Sequence, residues 1–210
     1  MTKCIVRIAE GIGNQLFMFA NSLSFSRRIG YSLYIDNKSG YFQKKNIRFY
    51  QLDKFNLDTP ICDDKYKFNN PLKNLKRKFL IKIDRFKQRK SFILEPKDNL
   101  KRTKFCNLNK HNLSNLLYIE GYFESEKYFS DMKQILKKKI TLKDQYIYEN
   151  NEYFSLIKNN PNVVSICIRQ NRFSERLYNR YNFESKKKSS ELTKITIDYI
   201  KRAVKYIDTK

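Results

Sequence analysis

Tryptophan is absent from this chain, histidine occurs once (His111), and glycine and proline number only five and four in 210 residues. The four cysteines (Cys4, Cys62, Cys106, Cys167) are far apart and form no C-x-x-C pair. With a single histidine they exclude a structural zinc module, and they fit a reducing, cytoplasmic setting. No apolar run approaches the roughly 18 residues that a membrane-crossing helix needs. The N-terminus also lacks the basic-then-apolar pattern of a secretory leader. There is no internal repeat and no low-complexity tract.

What is present is a substantial apolar fraction, 40%, with 15% aromatics. That is enough for a core, so the chain is not a disordered polycation. Its length suits one large domain, or one domain plus part of another. The formal charge of +23 admits two readings. Phosphate neutralisation drives nucleic-acid binding, and a cationic surface also suits anionic substrates or an anionic membrane. Yet lysine (31) far outnumbers arginine (13) and asparagine is abundant (21), as an AT-rich codon bias alone produces.

Residues 3–8 read as a buried strand, Asn14 to Ile29 as a helix stopped by Gly30, and Tyr31–Asp36 as a second strand. That closes a β-α-β unit and predicts a parallel sheet. In residues 72–90, Leu72, Leu75, Phe79, Ile83 and Phe86 recur at steps of three and four among lysines and arginines. This is a basic amphipathic helix, packing that face on the core or resting it on anionic headgroups. Leu116–Glu120 predicts a third strand, followed by a helix over 125–139. A short helix falls near 153–158, and Asn159–Asn162 marks a turn. Val163–Ile168 has the strongest strand composition in the chain, and a last helix spans 191–207. The fold class expected is α/β.

Glu10-Gly11-Ile12-Gly13-Asn14-Gln15, between the first strand and first helix, places a site at a strand's carboxyl end. Together with Leu16–Ala20 it resembles the GGLGNQLFQYA signature of the α-1,2-fucosyltransferases, glycosyltransferase family 11. Gly121-Tyr122-Phe123-Glu124-Ser125-Glu126-Lys127-Tyr128-Phe129 is similar to that family's GYWQSEKYF segment, and Val163–Arg169 to its V-x-I-H-x-R-R-G-D donor motif. The resemblance runs over essentially the whole chain, loosely in 37–115.

The resemblance implies a GT-B-like architecture: a Rossmann-like acceptor-side domain (1–155) and the first β-α unit of a donor-binding domain (156–210), the chain reading as an N-terminal portion. It implies inverting transfer of L-fucose from GDP-L-fucose to the 2-hydroxyl of an acceptor such as galactose, with no metal and no other cofactor. The expected partners are therefore the nucleotide-sugar donor and an oligosaccharide or lipid-linked acceptor. The expected place is the cytoplasm, peripheral on the inner membrane face. Without a metal, the leaving pyrophosphate needs fixed cationic donors.

Arg169 and Arg172 are the candidates for that task, against an ordinary surface role for Arg169. Gly11, Gly13 and Gln15 join them on the donor side. Asn14 is assigned to orienting the sugar or leaving group, a role compatible with capping the helix. Glu10 is a candidate general base or a plain surface glutamate. Tyr122 and Glu126 belong to the acceptor side. The family histidine and second arginine are replaced here (Cys167, Gln170), so the motif is either rebuilt or decayed. A non-catalytic glycan- or GDP-binding relative, and a basic nucleic-acid or membrane-surface protein, are the competing classes.

Overall fold

The computed structural model describes residues 2–42, 48–97, 103–144, 152–164, 166, 168, 170–174 and 181–208. The chain divides into two compact units, Met1–Ile147 and Tyr148–Lys210.

The first unit is an α/β layer built on a four-stranded, all-parallel sheet. Strand β1 (Lys3–Arg7) leads through the Glu10-Gly11 turn into helix α1 (Ile12–Arg28). Strand β2 (Ser32–Asp36) then returns parallel to β1, with Arg7 opposite Asp36. Gly30 ends the helix as expected, at φ 70°, and lets the Tyr31 N–H reach back to the Ser26 carbonyl at 2.8 Å. Ten residues of α1 between Gln15 and Ser26 are buried, so the helix is enclosed on most sides. Two of its buried serines close onto their own helix, Ser22 donating to Met18 O and Ser26 to Leu23 O.

Helix α2 (Pro71–Asp84) and strands β3 (Lys90–Leu94) and β4 (Leu113–Glu120) complete the sheet in the order β2-β1-β4-β3. One core cluster includes Val6, Ile8, Phe19, Phe25, Leu117, Ile119 and Phe123. A smaller one joins Ile5, Phe68, Phe92 and Tyr118 on the face that meets α2.

Strand β3 was not anticipated, because the basic periodicity of 72–90 runs up to its first residue. The buried Asp84 carboxylate makes the switch by accepting the N–H groups of Ser91 (2.8 Å) and Phe92 (3.2 Å). Lys90 Nζ covers carbonyls at and just past the helix end, those of Asp84, Arg85 and Lys87. The face of α2 is also reversed from the core-packing expectation. Arg77, Ile81 and Asp84 point inward, whereas Leu72 (80% exposed) and Phe86 (90%), just past the helix end, lie in solvent with Leu75 and Phe79.

The expected helix over 125–139 is broken. Two short 3-10 turns, Glu126–Tyr128 and Ser130–Met132, precede helix α3 (Lys133–Lys139). Phe129, at φ −139° and ψ 24° and so outside helical geometry, separates them while its ring packs on Phe17 at 5.9 Å.

In the second unit, helix α4 (Glu152–Asn159) begins after the unit boundary, and helix α5 (Phe183–Asp208) starts eight residues before the expected 191. Asn182 caps α5 by accepting the Ser185 N–H at 2.9 Å. The strand expected over 163–168 is not formed among the described residues: Val163, Val164, Ile166 and Ile168 are exposed and unpaired with any strand. Strand composition alone cannot satisfy backbone N–H and C=O groups, which need a neighbouring strand. Among the described residues this unit buries no apolar side chain; only Ser174 and Ser189 are buried.

Candidate active site

In the first unit, β1 and β4 are adjacent and parallel, so their carboxyl ends open side by side. The chain steps from β1 to β2 on one side while β4 and β3 lie on the other. Their junction is thus a topological switch point, where parallel sheets form crevices. A cavity of about 470 Å³ sits there, bounded by Arg7, Glu10, Arg77, Glu95, Glu120 and Tyr122 among others.

Its floor is charged and ordered. Arg77 on α2 grips Glu120 at the end of β4 through two parallel hydrogen bonds, Nε to Oε1 at 2.6 Å and Nη2 to Oε2. That bond holds the Arg77 pKa above its ordinary value. Arg7 Nη2 donates to Ser39 O at 3.1 Å, while its buried Nε has no hydrogen-bond partner among the described residues. Burial pulls the Arg7 pKa down, with the Glu120 charge opposing.

The rim is strained. Glu10 (φ 63°) and Phe123 (φ 52°) both occupy the left-handed region, and Gly121 lies at φ 154°. Glu95 fixes the second bend, its carboxylate accepting the N–H groups of Tyr122 (2.7 Å) and Phe123 (2.9 Å). A Cβ on Gly121 would lie 2.2 Å from Glu95 Cβ, and one on Gly40 only 2.0 Å from Ile8 O. The cavity wall therefore depends on two close backbone approaches. Across the opening, the Tyr122 hydroxyl stands 3.5 Å from Glu10 Oε1, and the Tyr41 hydroxyl 3.5 Å from Glu10 O. Burial, then the Glu10 charge, pushes the Tyr41 hydroxyl's pKa up.

Of the sequence-predicted residues, Glu10 and Tyr122 come together here. Gln15 does not face a ligand: it is fully buried, donating to Glu10 O and Phe49 O and accepting from Gln51 N–H. Its role is to tie the Glu10 turn to the 49–51 loop. Asn14, in the first turn of α1, is half-buried and its side chain makes no hydrogen bond among the described residues; it does not line the cavity. Gly11 caps α1 at φ −80°, and Gly13 faces open space, so neither serves a positive φ or a close approach. Glu126 is exposed and pairs with Lys133 at 3.9 Å. Arg172 is exposed in the second unit, and Arg169 lies outside the described residues.

The two motif segments meet at Phe17 and Phe129 beyond the rim, and α1 past the first of them is tied to residues 128–131. Arg28 donates to Tyr128 O at 2.6 Å, and Ser24 to Asp131 Oδ1 at 2.8 Å. Sequence reasoning missed Arg7, Arg77, Glu95 and Glu120. Arg7 had a signal, as a lone cation in the run Cys4-Ile5-Val6-Arg7-Ile8. Arg77 had none among its basic neighbours. Among the described residues, no group of three or more His, Cys, Asp or Glu stands together to hold a metal ion. None of the described helices is long and apolar enough to cross a membrane.

No family model, curated protein or solved structure matches the chain. The site therefore rests on its own chemistry. It offers a carboxylate (Glu10), a guanidinium (Arg7) and an aromatic ring with a hydroxyl (Tyr122) in one cavity lining, a set that suits a ligand rich in hydroxyl groups.

Proposed function

We propose that this chain carries the acceptor side of a GT-B-like glycosyltransferase that moves L-fucose from GDP-L-fucose to the 2-hydroxyl of an acceptor sugar, with galactose the leading candidate. The reaction inverts the anomeric carbon and takes place on the cytoplasmic side. One observation carries this reading: the two segments that resemble the fucosyltransferase signatures lie more than 100 residues apart in sequence, yet converge on one cavity through Glu10 and Tyr122.

In this scheme Glu10 accepts the proton of the acceptor hydroxyl as its oxygen attacks the anomeric carbon. The carbon–oxygen bond to GDP breaks, and GDP leaves with the bonding electrons. The Arg7 guanidinium sets a positive charge in the cavity lining, and the Tyr122 ring forms one side of the sugar site. Arg169 and Arg172 are assigned to the pyrophosphate charge.

The test is product formation from GDP-L-fucose and a β-galactoside, followed by mass spectrometry. Glu10→Gln is expected to lower kcat by about 10²–10⁴-fold with an unchanged melting temperature. Undiminished turnover in that variant would remove Glu10 from the chemistry. Galactoside binding without turnover would instead favour the non-catalytic relative. Failure to bind GDP or any galactoside would overturn the reading altogether.

A further inference from the structure

We infer that α2 is an interfacial helix that docks this protein on an anionic lipid bilayer. Leu72, Leu75 and Phe79, with Phe86 just past the helix end, form a continuous apolar stripe at steps of three, four and seven, all more than 60% exposed. The stripe cannot turn inward, because the opposite face of α2 is fixed. There Arg77 is locked to Glu120, Ile81 packs with the Phe92–Tyr118 cluster, and Asp84 holds the start of β3.

Charge selects the occupant. Lys76, Lys78, Lys82, Arg85, Lys87 and Arg89 border the stripe or its C-terminal end, all are exposed, and none forms an ion pair among the described residues. The one acid in the helix, Asp84, is buried. A second copy of the chain would set two rows of lysine face to face. A nucleic acid would leave the leucines and Phe79 against phosphates. A bilayer with anionic headgroups takes both parts: the side chains enter the acyl boundary and the lysines reach the lipid phosphates.

The experiment uses the full chain and vesicles of phosphatidylcholine with or without about 30 mol% of an anionic lipid, phosphatidylglycerol. Flotation is expected with the anionic vesicles and at least about tenfold weaker with the neutral ones. Lys76→Ala/Lys82→Ala is expected to weaken binding on the order of 30-fold. Leu75→Ser/Phe79→Ser, which alters only exposed side chains, is expected to weaken it at least as much.

Because tryptophan is absent, Phe79→Trp provides a single reporter. Its emission should shift to the blue on anionic vesicles, and that of a Phe49→Trp control should not. Equal binding by Leu75→Ser/Phe79→Ser, or no shift at Phe79→Trp, would show that net charge alone holds the protein and overturn the proposal. So would a dimer in solution that the Leu75→Ser/Phe79→Ser change dissociates.

Discussion

At the scale of single residues, the glycines separate roles that look alike in the sequence. Gly11 and Gly13 are conspicuous there, but the tight approaches belong to Gly40 and Gly121. An alanine at Gly40 would press its methyl into the Ile8 carbonyl, a backbone atom with no way to yield. Gly40→Ala is expected to cost about 3 kcal/mol, and calorimetry should show a fall of roughly 10 °C in melting temperature. Gly13→Ala has nothing within 4 Å and should match or exceed wild-type stability by about 0.5 kcal/mol. Equal stabilities for the two variants would mean that the β1 turn and the Gly40 loop do not meet as described. The sequence could not rank these glycines. Clash depends on what lies across the fold, and Gly40 is some thirty residues from Ile8 along the chain.

At the scale of elements, the strands and helices of the first 36 residues were legible because each period is local and a glycine marks the turn. The reading failed where a long-range partner decides. A spacing of three and four shows that α2 is two-faced, but not which face the sheet accepts. Arg77 and Asp84 settle it, because each finds a buried partner: Glu120 for the guanidinium, the β3 amides for the carboxylate. The same limit applies at Val163–Ile168, where β-branched composition has no strand to pair with among the described residues.

The Arg77–Glu120 pair gives the test at this scale, since both side chains are largely buried. Arg77→Met alone leaves the Glu120 charge uncompensated and should cost about 3–5 kcal/mol in chemical denaturation. Arg77→Met/Glu120→Leu should recover most of that loss. A double variant no more stable than the single one would place the cost in packing rather than charge.

At the scale of the whole molecule, the buried ionisable groups set an alkaline limit. Burial pushes the Cys4 and Cys62 thiols up to about 12 from an ordinary 9, raises Tyr50 to about 12 from 10, and moves Tyr118 upward as well. The folded state therefore keeps these protons after the unfolded chain has released them. Their stabilisation is complete below about pH 9 and is lost as the pH rises towards 12. The slope is up to about 1.4 kcal/mol per pH unit for each such group. Guanidinium unfolding midpoints should be steady from pH 7 to about 8.5 and drop clearly by pH 10.5. A flat profile would mean that these thiols and phenols meet water in the folded state. All of them lie in the first unit, which also holds both apolar core clusters.

The two faces of α2 also fix a height. Its outer side carries the exposed apolar stripe proposed to enter lipid, and its inner side supplies Arg77 and Ile81 to the cavity. An α-helix with its side chains is about 10–12 Å across, so the mouth beside Tyr122 would stand little more than one helix diameter above the headgroups. An acceptor anchored in the same leaflet would then need only a few sugar units to reach Glu10. A much longer glycan would overshoot it.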